Sequence, residues 1–204
     1  MVNQTIAGVL RPGGEKLAMA YDIALIVAGS VFIAASAQVA VILPISPVPV
    51  TGQTFAVLMV GMLFGARRGS LCILAYLTQG LAGLPVFSLG KAGPAVLLGP
   101  TGGYLVGFVA AAYITGLLAE QRWDRHIPTT ILTMALGNIT IYAFGLAWLC
   151  VLAGLNNALT TGLYPFIAGD TVKIALAAIL LPGTWKILTS AGLLKDGREH
   201  TKGQ

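Results

Sequence analysis

Asp170 and Lys173 are ionisable residues inside a segment, Tyr164 to Leu181, that otherwise has the composition of a lipid-buried helix. An ionisable side chain at membrane depth is costly, and it is retained mainly where it faces a cavity, a partner charge or a ligand. On a helix, a spacing of i and i+3 places both side chains on one face, close enough to touch. We interpret the pair either as an internal ion pair that locks helix packing or as part of a ligand-binding site.

The composition identifies the chain as an integral membrane protein. Of its 204 residues, 56% are hydrophobic and 9% are charged, and the mean hydropathy is +0.85. Ordinary soluble domains carry about 25% charged residues. The length accommodates roughly six spans of about 20 residues each. We therefore expect a single membrane domain over residues 1–204, so that any ATPase or catalytic domain would belong to another chain.

Hydropathy predicts an all-α protein with six transmembrane helices. The predicted spans cover residues 17–43, 53–66, 70–84, 102–119, 128–153 and 164–188. The connection 85–101 is long, rich in glycine and proline, and partly apolar. Irregular backbone near a membrane is tolerated where it is buried in protein or lines a cavity. We therefore expect this connection to fold back onto the protein as a lid.

The basic residues predict that both termini are cytoplasmic. With the N-terminus inside, the residues on the cytoplasmic side are Arg11, Lys16, Arg67, Arg68, Arg122, Arg125, Lys186, Lys195, Arg198 and Lys202. Only Lys91 then falls in an outer loop, and only Lys173 lies deep within a span, since Lys186 is at the inner end of the sixth span. Positive residues concentrate in cytoplasmic loops. The basic charge is therefore explained by membrane topology, and no accompanying basic and aromatic groove predicts nucleic-acid binding.

In this topology the charged pair lies in the outer part of the membrane. The sixth span runs inward from Tyr164, and Asp170 is about 9 Å along it at 1.5 Å per residue. The first outer loop, residues 43–55, carries alternating prolines that favour a stiff extended segment. This loop is either a rigid connector or a gating loop that presents Thr51 or Gln53 to a polar ligand. Tyr104, at the start of the fourth span, can line a pocket near the same face.

Two stripes of small residues predict close contacts between helices. One consists of Gly99, just before the fourth span, with Gly103, Gly107 and Ala111 inside that span, and the other includes Ala24 and Ala28 in the first span. The spacing does not decide whether the partner of the first span belongs to this chain or to another. His126 and His200 fall in predicted cytoplasmic segments without companion ligands. We expect neither an enzyme nor a metal or cofactor site.

Four motifs, in order along the chain, resemble the BioY family of biotin transporters. They are Pro47-Val-Pro-Val-Thr-Gly-Gln-Thr-Phe55, Gly83-Leu-Pro-Val-Phe87, Gly99-Pro-Thr-Gly-Gly-Tyr104 and Gly169-Asp-Thr-Val-Lys173. The resemblance extends from the first span to about residue 190. It implies the biotin-specific substrate-binding subunit (S component) of an energy-coupling factor (ECF) transporter. Such a subunit is a multi-pass protein of a prokaryotic cell membrane, surrounded by lipid, and works with a transmembrane coupling protein and cytoplasmic ATPases.

The resemblance also implies roles for particular residues. Asp170 and Lys173 would bind biotin, with Gln53, Tyr104 and the 85–101 connection also in the pocket. Lys91 is the candidate partner of the biotin carboxylate. Ala24 and Ala28 resemble the first-helix motif with which S components dock onto the coupling protein. Two alternatives stay open, namely an S component for another small vitamin and a stand-alone secondary carrier.

Overall fold

The structure, a computed structural model, describes residues 5–192 and consists mainly of helices. The helices are α1 (Ile6–Val9), α2 (Glu15–Gln38), α3 (Gln53–Phe64), α4 (Ala66–Leu81), α5 (Ala95–Leu98), α6 (Gly102–Glu120), α7 (Ile127–Ala153), α8 (Leu155–Gly162) and α9 (Tyr164–Ser190). Two short strands, β1 (Ala40–Val41) and β2 (Val50–Thr51), and two 3-10 turns, Ser88–Gly90 and Trp123–Arg125, complete the described elements. The predicted cytoplasmic residues Lys195, Arg198, His200 and Lys202 lie outside the described part of the chain.

Four helical segments are long and apolar enough to cross a membrane. They are Glu15–Gln38, Gly102–Glu120, Ile127–Ala153 and Leu155–Ser190. The predicted spans 53–66 and 70–84 correspond to α3 and α4, which have 12 and 16 residues. At 1.5 Å per residue these helices are about 18 and 24 Å long, shorter than a hydrocarbon core of about 30 Å. The prediction of a helical membrane protein is confirmed, whereas the count of six spans stays a prediction.

Helices α3 and α4 form a tight antiparallel hairpin. Gly65 joins them with a φ of +87°, a conformation that glycine adopts readily and other residues rarely do. The helices then approach so closely that a Cβ on Gly69 would lie 2.9 Å from the Cα of Gly61. A tight glycine turn and small facing residues therefore explain how two short helices pack together.

The glycine stripe of α6 is a packing surface, as predicted. A Cβ on Gly103 would lie 2.4 Å from the Cβ of Trp148, and one on Gly107 would lie 3.0 Å from the Cβ of Phe144. Both contacts are with α7, so the stripe brings the backbones of α6 and α7 together. Larger residues at these two positions would push the helices apart.

Helix α2 ends at Gln38, before the predicted end of the first span at residue 43. The chain reverses after this helix, and β1 pairs antiparallel with β2 in the register Ala40 to Thr51. The N–H of Gly52 also donates to the carbonyl oxygen of Val39, at 3.0 Å. These non-local hydrogen bonds satisfy backbone groups that a longer helix would have paired within itself. They explain why α2 ends at Gln38 and not at residue 43.

We call the end of the bundle that holds the β1–β2 ladder the ladder end. The hydroxyl of Tyr104, in the first turn of α6, donates to the carbonyl oxygen of Gly162 in α8 at 2.9 Å. The hydroxyl of Ser46, between the strands, donates to the carbonyl oxygen of Thr161 at 2.6 Å. The start of α6, the helix α8 and the first loop therefore meet at this end.

We call the opposite end the basic end, because it carries Arg11 and Arg68. Both arginines contact Asp22, at 2.8 and 2.7 Å. At the same end, the indole N–H of Trp185 donates to the buried carboxylate of Asp124, which follows α6, at 2.5 Å. Burial raises the pKa of Asp124 to about 6, although the Trp185 hydrogen bond partly opposes this. Asp124 thus ties α9 to the connection between α6 and α7.

Candidate functional site

A cavity at the ladder end lies among α3, α6, α7 and α9. The empty space at this site, counted together with its open mouth, is about 690 Å³. The apolar wall residues are Val48, Pro49, Phe87, Val96, Leu105, Phe108, Ile141 and Phe166. The polar wall residues are Thr51, Gln53, Thr54, Ser88, Lys91, Thr101, Tyr104, Tyr142 and Lys173. Although more than half of these residues are polar, the surface that they expose to the cavity is mainly apolar, and such a wall suits a small molecule of mixed polarity.

Asp170 is the centre of a polar cluster that joins three helices. Its Oδ1 lies 3.1 Å from the Nζ of Lys173, and its Oδ2 accepts a hydrogen bond from the hydroxyl of Tyr142. The Nζ of Lys173 also donates to the Oγ1 of Thr54 at 2.7 Å. The Thr54 hydroxyl in turn lies 3.5 Å from Asp170 Oδ1. The predicted contact between Asp170 and Lys173 is confirmed, and the cluster also includes Thr54 of α3 and Tyr142 of α7.

Asp170 lies behind the cavity wall. Only 5% of the residue is exposed, and the three side chains that contact its carboxylate, those of Thr54, Tyr142 and Lys173, belong to the wall whereas Asp170 does not. The buried carboxylate therefore orients one ammonium group and two hydroxyl groups beside the cavity. A ligand that enters the cavity meets these three groups first, and this geometry is compatible with both an ion-pair role and a ligand-binding role for Asp170.

Gln53 and Tyr104 lie on the same cavity as Lys173. The Nε2 of Gln53 donates to the hydroxyl of Tyr76 at 2.5 Å, and the hydroxyl of Thr51 lies 3.3 Å from its Oε1. The Tyr104 hydroxyl is bonded to a carbonyl oxygen of α8. Tyr104 therefore offers the cavity mainly the face of its ring, and Gln53 offers an amide whose orientation is set by its neighbours.

The connection between α4 and α6 folds back onto the protein and brings Lys91 to the cavity. Phe87 anchors it, because this side chain is only 1% exposed and packs so tightly on α4 that a Cβ on Gly80 would lie 2.2 Å from its ring. The N–H of Gly93 donates to the carbonyl oxygen of Gly80 at 2.8 Å. The expectation that residues 85–101 fold back as a lid agrees with this arrangement.

Sequence reasoning missed Thr54 and Tyr142. Thr54 follows Gln53 within the motif Pro47–Phe55, so its position is a signal that points to the site. Tyr142 is one of several polar residues in the mainly apolar helix α7, and nothing in its local sequence points to Asp170. Ala24 and Ala28 are not brought to the cavity, since both lie on the exposed face of α2.

Long apolar helices around a cavity with a buried charged pair define a helical membrane protein built to hold a small molecule. Comparison with known proteins makes this class more specific. The family model described as BioY family matches residues 11–190, and the chain belongs to the BioY family. The family predicted from the four motifs is therefore confirmed.

Curated relatives from bacteria and archaea agree with this assignment. The biotin transporter BioY of Rhizobium etli is 37% identical over 142 residues, covering 66% of this chain and 76% of the relative. The probable biotin transporter BioY of Pyrococcus horikoshii is 40% identical over 136 residues, covering 67% and 80%. The biotin transporter BioY of Thermotoga maritima is 37% identical over 139 residues, covering 68% and 81%.

The fold also matches a crystal structure, that of the S-component for biotin from an ECF-type ABC transporter. The TM-score is 0.73, and the alignment covers 85% of this chain and 95% of that chain at 24% sequence identity. At this identity the match establishes that the two chains share a fold.

Proposed function

We propose that this chain is the biotin-binding S component of an ECF transporter and takes part in biotin uptake. Membership of the BioY family supports the choice of ligand, since relatives of this chain are named biotin transporters. The observation that carries the proposal is the Asp170 cluster at the wall of a mainly apolar cavity. This role is binding and transport, without a catalytic step.

The chemistry of biotin fits the cluster. Its ureido group presents two N–H donors and one carbonyl acceptor, and its sulfur-containing ring is apolar. The ureido oxygen can accept from Lys173 or Tyr142, and a ureido N–H can donate to the Thr54 hydroxyl, while Asp170 orients these three groups from behind the wall. Hydrogen bonds that involve a charged partner and are shielded from water are stronger than neutral ones. We therefore assign recognition of the ureido group to these four residues, with Gln53 and Tyr104 shaping the adjacent wall.

Lys91 is our candidate for the biotin carboxylate. Among the residues that the structure describes, the cavity wall contains two cationic side chains, Lys91 and Lys173. Lys173 is paired with Asp170, so Lys91 is the cation available to a second anion. A lysine ammonium on the lid would neutralise the carboxylate at the end of the biotin tail.

We further propose six spans in a single membrane domain, residues 1–204, with both termini cytoplasmic. Arg11, Arg67, Arg68 and the 122–125 segment would then face the cytoplasm at the basic end, in line with the usual bias of positive charge. The cavity would open outward in a prokaryotic cell membrane. The short helices α3 and α4 would be accommodated by local thinning of the bilayer.

Energy would come from partner chains. Ala24 and Ala28 lie on the exposed face of α2, where small residues allow another helix to approach closely. We propose that this face docks onto a transmembrane coupling protein, which is itself driven by cytoplasmic ATPases.

Equilibrium binding of biotin to the purified chain tests the proposed ligand. A thermal-shift screen against other vitamins should give its largest stabilisation with biotin, because bound ligand stabilises the folded state by mass action. A larger shift with another vitamin would favour a different S component. Biotin uptake that persists without any coupling protein or ATPase would favour a secondary carrier.

A further inference from the structure

Gln38, the last residue of α2, connects this helix to the lid. Its Nε2 lies 3.1 Å from the carbonyl oxygen of Phe87 and 3.3 Å from that of Val86, as well as 3.2 Å from a carbonyl oxygen of its own helix. Its Oε1 accepts from the N–H of Gly90 at 3.1 Å. The two Nε2 hydrogens can serve two of the three carbonyl groups at once. One side chain thus bonds both to the residues before the Ser88–Gly90 turn and to the last residue of that turn.

The surrounding groups determine the orientation of the Gln38 amide. A reversed amide would place Oε1 beside carbonyl oxygens and Nε2 beside a backbone N–H, so that neither could form a hydrogen bond. The position therefore requires a side chain with a donor and an acceptor at its end. A glutamate at this position would retain the acceptor for Gly90, but it would place a negative charge against the carbonyl groups of Val86 and Phe87.

The turn that Gln38 holds has a strained backbone. Leu89 has a φ of +62°, a left-handed conformation that is uncommon for residues other than glycine, and Gly90 follows with a φ of +68°. Such conformations persist where surrounding contacts hold them in place. The N–H of Phe87 closes the turn by donating to the carbonyl oxygen of Lys91 at 3.1 Å. Because Phe87, Ser88 and Lys91 all line the cavity, the conformation of this turn sets part of the cavity wall.

We propose that Gln38 is a positioning residue that clasps the lid turn to helix α2 and thereby holds Lys91 over the cavity. The identity of the ligand in this inference rests on the proposed function, whereas the clasp itself rests on the hydrogen bonds of Gln38. Loss of the clasp frees the turn, so that bound ligand escapes faster.

The test replaces Gln38 by methionine, which keeps the length of the side chain and removes its hydrogen bonds. Radiolabelled biotin is bound to the purified full-length protein in lipid nanodiscs and chased with excess unlabelled biotin. We expect Gln38→Met to release biotin about three- to tenfold faster than the parent, as expected for the loss of one or two exposed hydrogen bonds. Gln38→Glu should release biotin at least as fast as Gln38→Met.

A matched control is Gln79→Met. The Gln79 amide donates to the hydroxyl of Ser30 at 3.1 Å, so its side-chain hydrogen bond joins α4 to α2 and not to the lid. This variant should keep the parental release rate.

The neutral amide of biotin distinguishes the positioning of Lys91 from a general loosening of the lid. If Gln38 positions Lys91, Gln38→Met should speed the release of biotin more than the release of its amide. Equal acceleration for both ligands would overturn the positioning role.

Hydrogen exchange of the ligand-free protein tests the clasp without biotin. Peptides that cover residues 85–93 should exchange faster in Gln38→Met than in the parent, and Gln79→Met should leave them unchanged. Parental exchange in Gln38→Met, or a parental release rate, would overturn the clasp. A parent that does not bind biotin would instead overturn the proposed function, and the exchange data would still decide the clasp.

Discussion

Replacing Asp170 and Lys173 singly and together distinguishes an ion pair that locks packing from a ligand-binding pair. Asp170→Asn preserves the size of the side chain and leaves an oxygen that can accept from Tyr142, but it removes the negative charge 3.1 Å from Lys173 Nζ. Lys173→Met preserves the aliphatic stem and removes the positive charge. The double variant removes both charges and leaves no unpaired ion.

The burial of the pair sets the expected cost to folding. The side chains of Asp170 and Lys173 are 8% and 15% exposed. Removing one partner of a buried pair costs about 3–5 kcal/mol, because an uncompensated charge remains. Lys173 keeps its hydrogen bond to Thr54, so we expect Asp170→Asn to cost about 2–3 kcal/mol of folding free energy. The double variant should fall within about 1 kcal/mol of the parent, since neutral replacement of a buried pair is often tolerated.

The effect on binding should follow a different pattern. A hydrogen bond to a charged group contributes about 1.5–3 kcal/mol, so each single variant should raise the Kd for biotin about 10- to 150-fold. The double variant lacks the same ligand contacts and should bind no better than the single variants. Recovery of stability without recovery of affinity is therefore the signature of a ligand-binding pair.

The assay combines thermal unfolding of the ligand-free variants with equilibrium biotin binding by the folded fraction. Lys186→Met is the matched control, because it removes one exposed positive charge from α9 and should keep parental affinity. A double variant that binds biotin like the parent would refute the ligand role of the pair. A double variant that is no more stable than Asp170→Asn would refute the argument from the unpaired charge.

Three further predictions concern other parts of the molecule. Lys91→Ala should weaken the binding of biotin about tenfold, or ~1.4 kcal/mol, and should weaken the binding of neutral biotin amide less. Equal losses of affinity for the two ligands would show that Lys91 does not bind the carboxylate. Burial raises the pKa of Asp124 to about 6, so its ionisation should destabilise the folded protein as the pH rises from about 4 to 6. Asp124→Asn, which keeps an acceptor for Trp185, should be more stable than the parent above pH 6 by about 2–3 kcal/mol. If thermal unfolding depends on pH in the same way in the variant and in the parent, this prediction is contradicted. Ala28→Leu, on the exposed face that includes Ala24, should leave biotin affinity unchanged. It should reduce uptake about tenfold or more, which corresponds to ~1.4 kcal/mol of docking energy. Uptake at the parental rate would exclude this face as the docking surface.

Local sequence was sufficient for the features that depend on neighbouring residues. Runs of apolar residues indicated where helices lie, although the first span was predicted to end at residue 43 and α2 ends at Gln38. The i and i+3 spacing predicted the contact between Asp170 and Lys173, and the four motifs predicted the family. These signals depend on composition and short spacing, which act before any tertiary packing forms.

Only the tertiary structure brought together groups that are distant in the chain. Tyr142 contacts Asp170, and Thr54 contacts Lys173. Gln38, at the end of α2, bonds to Gly90 in the connection between α4 and α6. The helices α6, α7 and α9 are apolar on nearly all sides. In a membrane, both the lipid-facing and the protein-facing sides of a helix are apolar, so the sequence lacks the amphipathic stripe that orients helices in soluble proteins. The rotation and register of these helices, and with them the cavity wall and the lid clasp, were therefore decided by packing.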